Sequence, residues 1–134
     1  MGFFKKLFGS HFEETKRAAE QGDEVAQVKL GLMYGTGDGT SQDLVKAAHW
    51  IRKAADQGFA IGQYAMGHAY THGNVVPKDD VQAAFWIEKA AEQGHADAQF
   101  VLSVLYTRGQ GVSRDENKAE YWRKKAISQG HRGF

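Results

Sequence analysis

The chain has 134 residues, of which 42% are hydrophobic and 25% are charged, and its formal net charge is +1 at pH 7. These proportions are ordinary for one soluble globular domain. They exclude an extensively disordered chain and a broad basic field suited to nucleic acid. Because the chain contains no cysteine, disulfides, thiolate metal sites and cysteine nucleophiles are excluded as well.

Residues 1–9 are predicted to form an amphipathic segment. One helical face would carry the apolar Phe3, Phe4, Leu7 and Phe8, and the opposite face would carry Lys5 and Lys6. No small-residue cleavage site follows, so a signal peptide is not predicted, and a cytoplasmic location is expected, with a periplasmic or secreted one left open. We expect the segment to cover the first helix, and docking of residues 2–8 on a membrane surface or a partner is the alternative.

Residues 10–22 are predicted to form one capping helix. Ser10 followed by Glu13 has the spacing of a capping box, and the helix is expected to run to about Gln21. Its Arg17-Ala18-Ala19 matches a later Lys53-Ala54-Ala55, so the segment corresponds to half of a repeating unit.

From residue 23 onward the sequence repeats every 36 residues without an insertion, over 23–58, 59–94 and 95–130, and leaves a tail at 131–134. The residues that recur at this spacing are Gln57-Gly58, Gln93-Gly94 and Gln129-Gly130; Tyr34, Tyr70 and Tyr106; Trp50, Trp86 and Trp122; and Lys53, Lys89 and Lys125. Such a period is typical of a stacked array in which each unit buries its apolar face against its neighbours.

Each unit is predicted to contain two helices, A and B, because its apolar residues follow helical spacing. In the first unit, Ala26, Leu30 and Tyr34 share one face of helix A. The joint between the helices is rich in glycine, and an aspartate is the expected N-cap of helix B: Asp43, Asp79 and Asp115. The glycines that close the B helices are expected in the left-handed conformation, and Gly31, Gly67 and Ser103 are expected to permit close helix approach.

These residues resemble the Sel-1-like repeat family, which belongs to the tetratricopeptide-like superhelical class. The resemblance covers about residues 19 to 130 and is carried in the first unit by Ala26-Gln27, Leu30-Gly31, Tyr34, Gly37, Gly39, Asp43, Lys46-Ala47, Trp50, Lys53-Ala54-Ala55 and Gln57-Gly58. Gly62, Gln82 and the second loop, GNVVPKD, depart from the pattern. The resemblance implies an all-α, right-handed α-solenoid of helix-turn-helix repeats.

The last B helix is predicted to be a polar cap. The inner units read Val45, Ala48, Ile51, Ala55 and Val81, Ala84, Ile87, Ala91 on one stripe, whereas the third reads Asn117, Glu120, Arg123, Ile127. Because a terminal repeat needs a solvated outer face, the array is expected to end near residue 130.

The A helices are expected to line the concave side, and analogy with tetratricopeptide domains predicts a groove for an extended peptide or a helix. The predicted groove residues are Val25, Val28 and Leu32; Ile61, Tyr64, His68 and His72; and Asp97, Phe100, Val104 and Arg108. Val28 and Val104 also suit a packed core, so that alternative stays open for both.

The sequence indicates a non-enzymatic protein-interaction scaffold of undetermined oligomeric state, with no cofactor, metal or nucleic acid. No residue pattern breaks the repeat in the way that a catalytic site requires. A rival hypothesis is a metal-binding protein or metal-dependent enzyme using His68 and His72, which lie four residues apart on helix A. No glutamate completes an H-E-x-x-H motif and no third ligand is evident nearby, so structural or peptide-contacting histidines are favoured.

Overall fold

The computed structural model describes residues 11–133, and every regular element in that range is an α-helix. The seven helices are α1 His11–Glu20, α2 Glu24–Thr36, α3 Leu44–Asp56, α4 Ala60–His72, α5 Asp80–Glu92, α6 Ala96–Arg108 and α7 Glu116–Ser128. Helices α2, α4 and α6 are the predicted A helices, and α3, α5 and α7 are their B partners. Successive helices pack against one another along the chain, which confirms the solenoid of helix pairs. The predictions made for residues 1–10 lie outside the described residues.

The predicted helix ends are confirmed. Each B-helix aspartate accepts hydrogen bonds from backbone N–H groups of the first turn at 3.0 to 3.1 Å: Asp43, Asp79 and Asp115. Gly22, Gly58 and Gly94 follow the B helices with φ between 86° and 97°, a conformation that glycine adopts without steric cost. These caps satisfy backbone groups that a helix end leaves unpaired.

Two glycines allow the A and B helices of a unit to touch, as predicted. A Cβ atom on Gly31 would lie 2.5 Å from Cγ1 of Ile51, and one on Gly67 would lie 2.5 Å from Cδ1 of Ile87. Each isoleucine therefore fills the space that the missing side chain leaves. Both isoleucines are buried, and they form part of the floor between neighbouring A helices.

The tryptophans contribute unequally to the core. Trp86 is 5% exposed and packs with Ile51 and Met66, whereas Trp50 and Trp122 are half-buried. Within the described chain the Trp86 indole N–H has no hydrogen-bond partner. The ring therefore stabilises the core by apolar burial, partly offset by an unpaired donor.

A network that we call the glutamine ladder links each B-helix end to the A helix of its own repeat. Nε2 of the glutamine that follows each B helix donates to Oε1 of a buried A-helix glutamine: Gln57 to Gln27 at 2.7 Å, Gln93 to Gln63 at 2.8 Å and Gln129 to Gln99 at 2.6 Å. Nε2 of the buried glutamines donates in turn to the preceding B helix, at the carbonyls of Ala19, Ala55 and Ala91. The repeated Gln-Gly therefore connects neighbouring units as well as ending helices.

The outer stripe of the B helices is confirmed in part. Glu120 and Arg123 of α7 are exposed, as the predicted polar cap requires. The prediction was wrong for Val45 and Val81, which are 81% and 66% exposed rather than packed on the next unit. These two side chains therefore lie outside the contact with the following repeat, whereas Asp80, in the same turn of α5 as Val81, accepts a hydrogen bond from Gln110 of that repeat.

Candidate functional site

The predicted groove residues lie mostly on one open side of the A helices. Val25, Leu32, Ile61, His68, His72 and Arg108 are exposed, and Tyr64, Asp97, Phe100 and Val104 are half-buried. Spacings of four and seven residues place the exposed members of α2, and those of α4, on one face of each helix. The exposed members therefore lie mainly on α2 and α4, and Arg108 is the exposed member on α6.

Val28 must be removed from this set, because it is 7% exposed and belongs to the core. The equivalent positions in the next two repeats hold Tyr64 and Phe100. The Tyr64 ring stacks on His95, just before α6, and the Phe100 ring stacks on His131, just after α7. This position thus faces the junction between repeats. The sequence pattern could not distinguish this junction position from the open face, because apolar residues occur at both.

Three neighbouring cavities run along the A helices. The central one, of about 390 Å³, lies between α4 and α6 and is lined by Tyr64, His68, Thr71, His72, Ile87 and Val101. A second, of about 280 Å³, lies between α2 and α4, and a third, of about 420 Å³, lies between α2, α3 and the loop after α4. These two cavities share Leu32, Ile51, Asn74 and Val75. We call the surface formed by these three cavities, together with the exposed Val25 and Ile61 on α2 and α4, the A-face groove.

Sequence reasoning missed several residues of this groove. Thr71 and Val101 lie beside predicted positions on the A helices, while Asn74 and Val75 come from the second loop. The other two loops have glycines with φ near 75° where Val75 stands: Gly39 and Gly111. A missing glycine was the available signal, because a valine cannot adopt that backbone without strain and the loop must take another course.

Aromatic stacks form one wall of the groove. The Tyr64 and His95 rings lie 4.6 Å apart, and burial together with Asp97 raises the pKa of the Tyr64 hydroxyl. The Phe100 and His131 rings lie 4.7 Å apart, and Nε2 of His131 lies 3.0 Å from Oδ1 of Asp97. The first stack therefore lies at the junction between the second and third repeats, and the second holds the segment after α7 against α6.

The His68 and His72 rings meet at the central cavity, with centroids 4.3 Å apart. Burial, with a smaller effect of His72, lowers the pKa of His68, so its neutral form is favoured. Among the described residues, no group of three or more histidine, aspartate or glutamate side chains is arranged to hold a metal ion. No helix of the described chain is both long and apolar enough to cross a bilayer.

Fold and groove together define the class: an all-α solenoid of helix pairs whose A helices present an open surface, as in tetratricopeptide-like repeats. The Sel1 repeat model matches residues 25–59, 60–95 and 96–131. The chain belongs to the Sel1 repeat family, which confirms the resemblance seen in the sequence.

Solved structures support this assignment. A protective antigen of uropathogenic Escherichia coli, described as displaying an SLR fold, is 39% identical with a TM-score of 0.88 over 91% of this chain and 26% of its own length. A Sel1 repeat protein from Oxalobacter formigenes is 35% identical, with a TM-score of 0.83 and coverage of 95% and 92%. Cysteine rich protein B of Helicobacter pylori is 26% identical, with a TM-score of 0.69 and coverage of 92% and 93%. The chain thus corresponds to about a quarter of the E. coli antigen, and no curated protein sequence matches it significantly.

Proposed function

We propose that this protein is a scaffold without catalytic activity that binds a peptide or a partner protein in the A-face groove. Sel1 repeat proteins are generally non-enzymatic scaffolds and typically bind protein partners. The groove supplies the specific support, because it combines exposed apolar side chains with three neighbouring cavities. A surface of this kind suits an extended segment or an amphipathic helix.

The observation that carries the proposal is the exposure of large apolar side chains on the A helices. Val25, Leu32 and Ile61 are each about half exposed, at 49%, 55% and 50%. Leu32 also lines two of the cavities, and Val101 extends the apolar lining to α6. Covering these side chains with a partner would gain hydrophobic free energy at about 25 cal/mol per Å² buried.

The proposal predicts that peptides selected from a display library on the wild-type protein bind through the A helices. Leu32→Lys/Ile61→Lys should weaken such peptides at least about tenfold, equivalent to about 1.4 kcal/mol, because both changes place a charge at apolar contacts. Isothermal titration measures the loss. Backbone amide shifts on peptide addition should concentrate on α2, α4 and α6.

The matched control is Val45→Lys/Val81→Lys, which makes the same change at exposed valines of the B helices. This variant should keep full affinity. Equal loss in both variants, or amide shifts concentrated on α3 and α5, contradicts the groove as the binding surface. The rings of Tyr64 and Phe100 are less suitable targets, because their removal also disturbs the junctions between repeats.

A further inference from the structure

Two histidines converge on the open side of α4. His68 and His72 are one helical turn apart, their ring centroids lie 4.3 Å from each other, and both residues are exposed. Both line the 390 Å³ central cavity, which leaves space beside the two rings. Two imidazoles thus face a common volume that is open to solvent.

Neither ring is engaged in a hydrogen bond or ion pair with any other residue between 11 and 133, and their one ring contact is with each other. The histidines at the repeat junctions differ, because Nδ1 of His95 and Nδ1 of His131 each accept a backbone N–H at 3.1 and 3.0 Å. The lowered pKa of His68 also favours the neutral ring, which is the form that binds metal. The nitrogen atoms of the pair are therefore available as ligands.

We propose that His68 and His72 form a two-ligand site for a divalent transition-metal ion such as Zn²⁺. Imidazole nitrogen is a good ligand for zinc and copper, and histidines four residues apart on one helix face provide two such ligands to a single ion. The remaining coordination positions are open to water or to a side chain of a bound partner. The site is distinct from the H-E-x-x-H arrangement and involves no reaction.

This pair exists in the second repeat alone among the three repeats. The equivalent positions hold Leu32 and Thr36 one repeat earlier, and Val104 and Arg108 one repeat later. Metal binding is thus a property of the middle of the groove rather than of the repeat pattern. The repeat also offers a matched scaffold in which the pair can be moved by one unit.

Zn²⁺ titrated calorimetrically into the full chain, free of any affinity tag, tests the proposal. We expect one ion per chain, and His68→Gln or His72→Gln should each weaken binding at least about tenfold, because loss of one ligand turns a chelate into a single contact. His49→Gln removes an exposed histidine from α3 and should leave the affinity unchanged. Ring signals of His68 and His72 should shift in NMR spectra of the wild-type protein.

Moving the pair provides the second test. In the His68→Gln/His72→Gln background, Leu32→His/Thr36→His places two imidazoles at the same register of α2 and should restore binding. Three results would show adventitious binding by surface imidazole and overturn the proposal. They are a wild-type affinity equal to that of the double glutamine variant, an equal loss of affinity in His49→Gln, and Zn²⁺-induced shifts at other histidines. As a control for folding, circular dichroism of each variant should show that its helices are retained. Neither result depends on the groove binding a peptide.

Discussion

His95 shows how one side chain serves two elements. It is the N-cap of α6, where Nδ1 accepts the backbone N–H of Ala98, and its ring stacks on Tyr64 of α4. The equivalent residue of the first repeat, Asp23, caps α2 through a carboxylate, while Phe59 gives α4 no side-chain cap. Since the accepting nitrogen must be unprotonated, the cap holds only while His95 is neutral.

Acidification is predicted to destabilise the protein through His95. Burial lowers the pKa of this ring, and the opposing effect of Asp97 is smaller. A depressed folded-state pKa means that the unfolded chain binds the proton more tightly. Stability is therefore complete above the unfolded value of about 6.5 and is lost as the pH falls from there through the folded value. The slope should stay below the limit of about 1.4 kcal/mol per pH unit, because the ring is only partly buried and solvent screens its charge.

His95→Asn provides the control, because asparagine is a good N-cap and does not titrate. At pH 8 the variant should be less stable than wild type by roughly 0.5 to 1.5 kcal/mol because it lacks the aromatic stack, and this difference should shrink as the pH falls. Urea denaturation between pH 5 and 8 measures both effects. An identical pH dependence in wild type and variant contradicts the assignment to His95.

At the scale of elements, the glutamine ladder connects helices of neighbouring repeats. Gln63 on α4 is buried, accepts from Gln93 at the end of α5 and donates to the carbonyl of Ala55 at the end of α3. One amide thus joins three helices. Buried polar groups of this kind are costly to leave unpaired, since water cannot replace the missing partner.

Gln63→Leu is predicted to lower the free energy of unfolding by about 1 to 3 kcal/mol, because at similar side-chain volume it removes two hydrogen bonds: the one that Gln93 donates to Gln63, and the one that Gln63 donates to an Ala55 carbonyl already paired with Gly58 N–H. Gln63→Glu should cost more at neutral pH, because its carboxylate accepts from Gln93 but cannot donate to Ala55. Chemical denaturation measures both changes. The control Gln82→Leu, at an exposed position of α5, should change stability by no more than about 0.5 kcal/mol. A cost for Gln63→Leu no greater than that of the control is incompatible with a stabilising ladder.

The helices themselves were predictable, because their signals are local. Helical periodicity, the capping aspartates and the closing glycines each depend on neighbouring residues, and the structure confirms all three. The recurrence of Gln27 and Gln57 was also visible in the sequence. Their hydrogen bond was not predicted, because it depends on how two helices are placed across a whole repeat.

The groove was less predictable, since exposure depends on packing between repeats. Leu32 and Ile61 were placed correctly on the open side, whereas Val28 lies in the core. Both kinds of position carry apolar residues at helical spacing. Val75 enters the groove from the second loop, which lacks the second left-handed glycine of the other two loops. The periodic pattern of a single helix does not predict the course of such a loop.

At the scale of the molecule, the array is stabilised by contacts between adjacent units, so the effect of a substitution depends on which repeat contains it. Trp86 lies in the second repeat and contacts Ile51 of the first, which couples the two units. Trp122 lies in the last B helix of the described chain and is half-buried at the edge of a cluster that the second and third repeats share. The two rings occupy the same position in their repeats. Within the described chain, the repeat of Trp86 has a neighbouring repeat on each side, whereas the repeat of Trp122 has one on one side.

Trp86→Ala is therefore predicted to cost about 3 to 5 kcal/mol, the usual loss for a buried aromatic ring replaced by alanine. Because this change weakens the contact between the first and second repeats, hydrogen exchange should separate into faster and slower groups on the two sides of α4. Trp122→Ala should cost less and accelerate exchange mainly in α6 and α7, since its ring is partly solvated before the change. Denaturation gives the free energies, and exchange followed by NMR locates the weakened helices. Equal costs for the two variants, with uniform acceleration along the chain, would mean that the repeats unfold as one unit rather than through coupled neighbours.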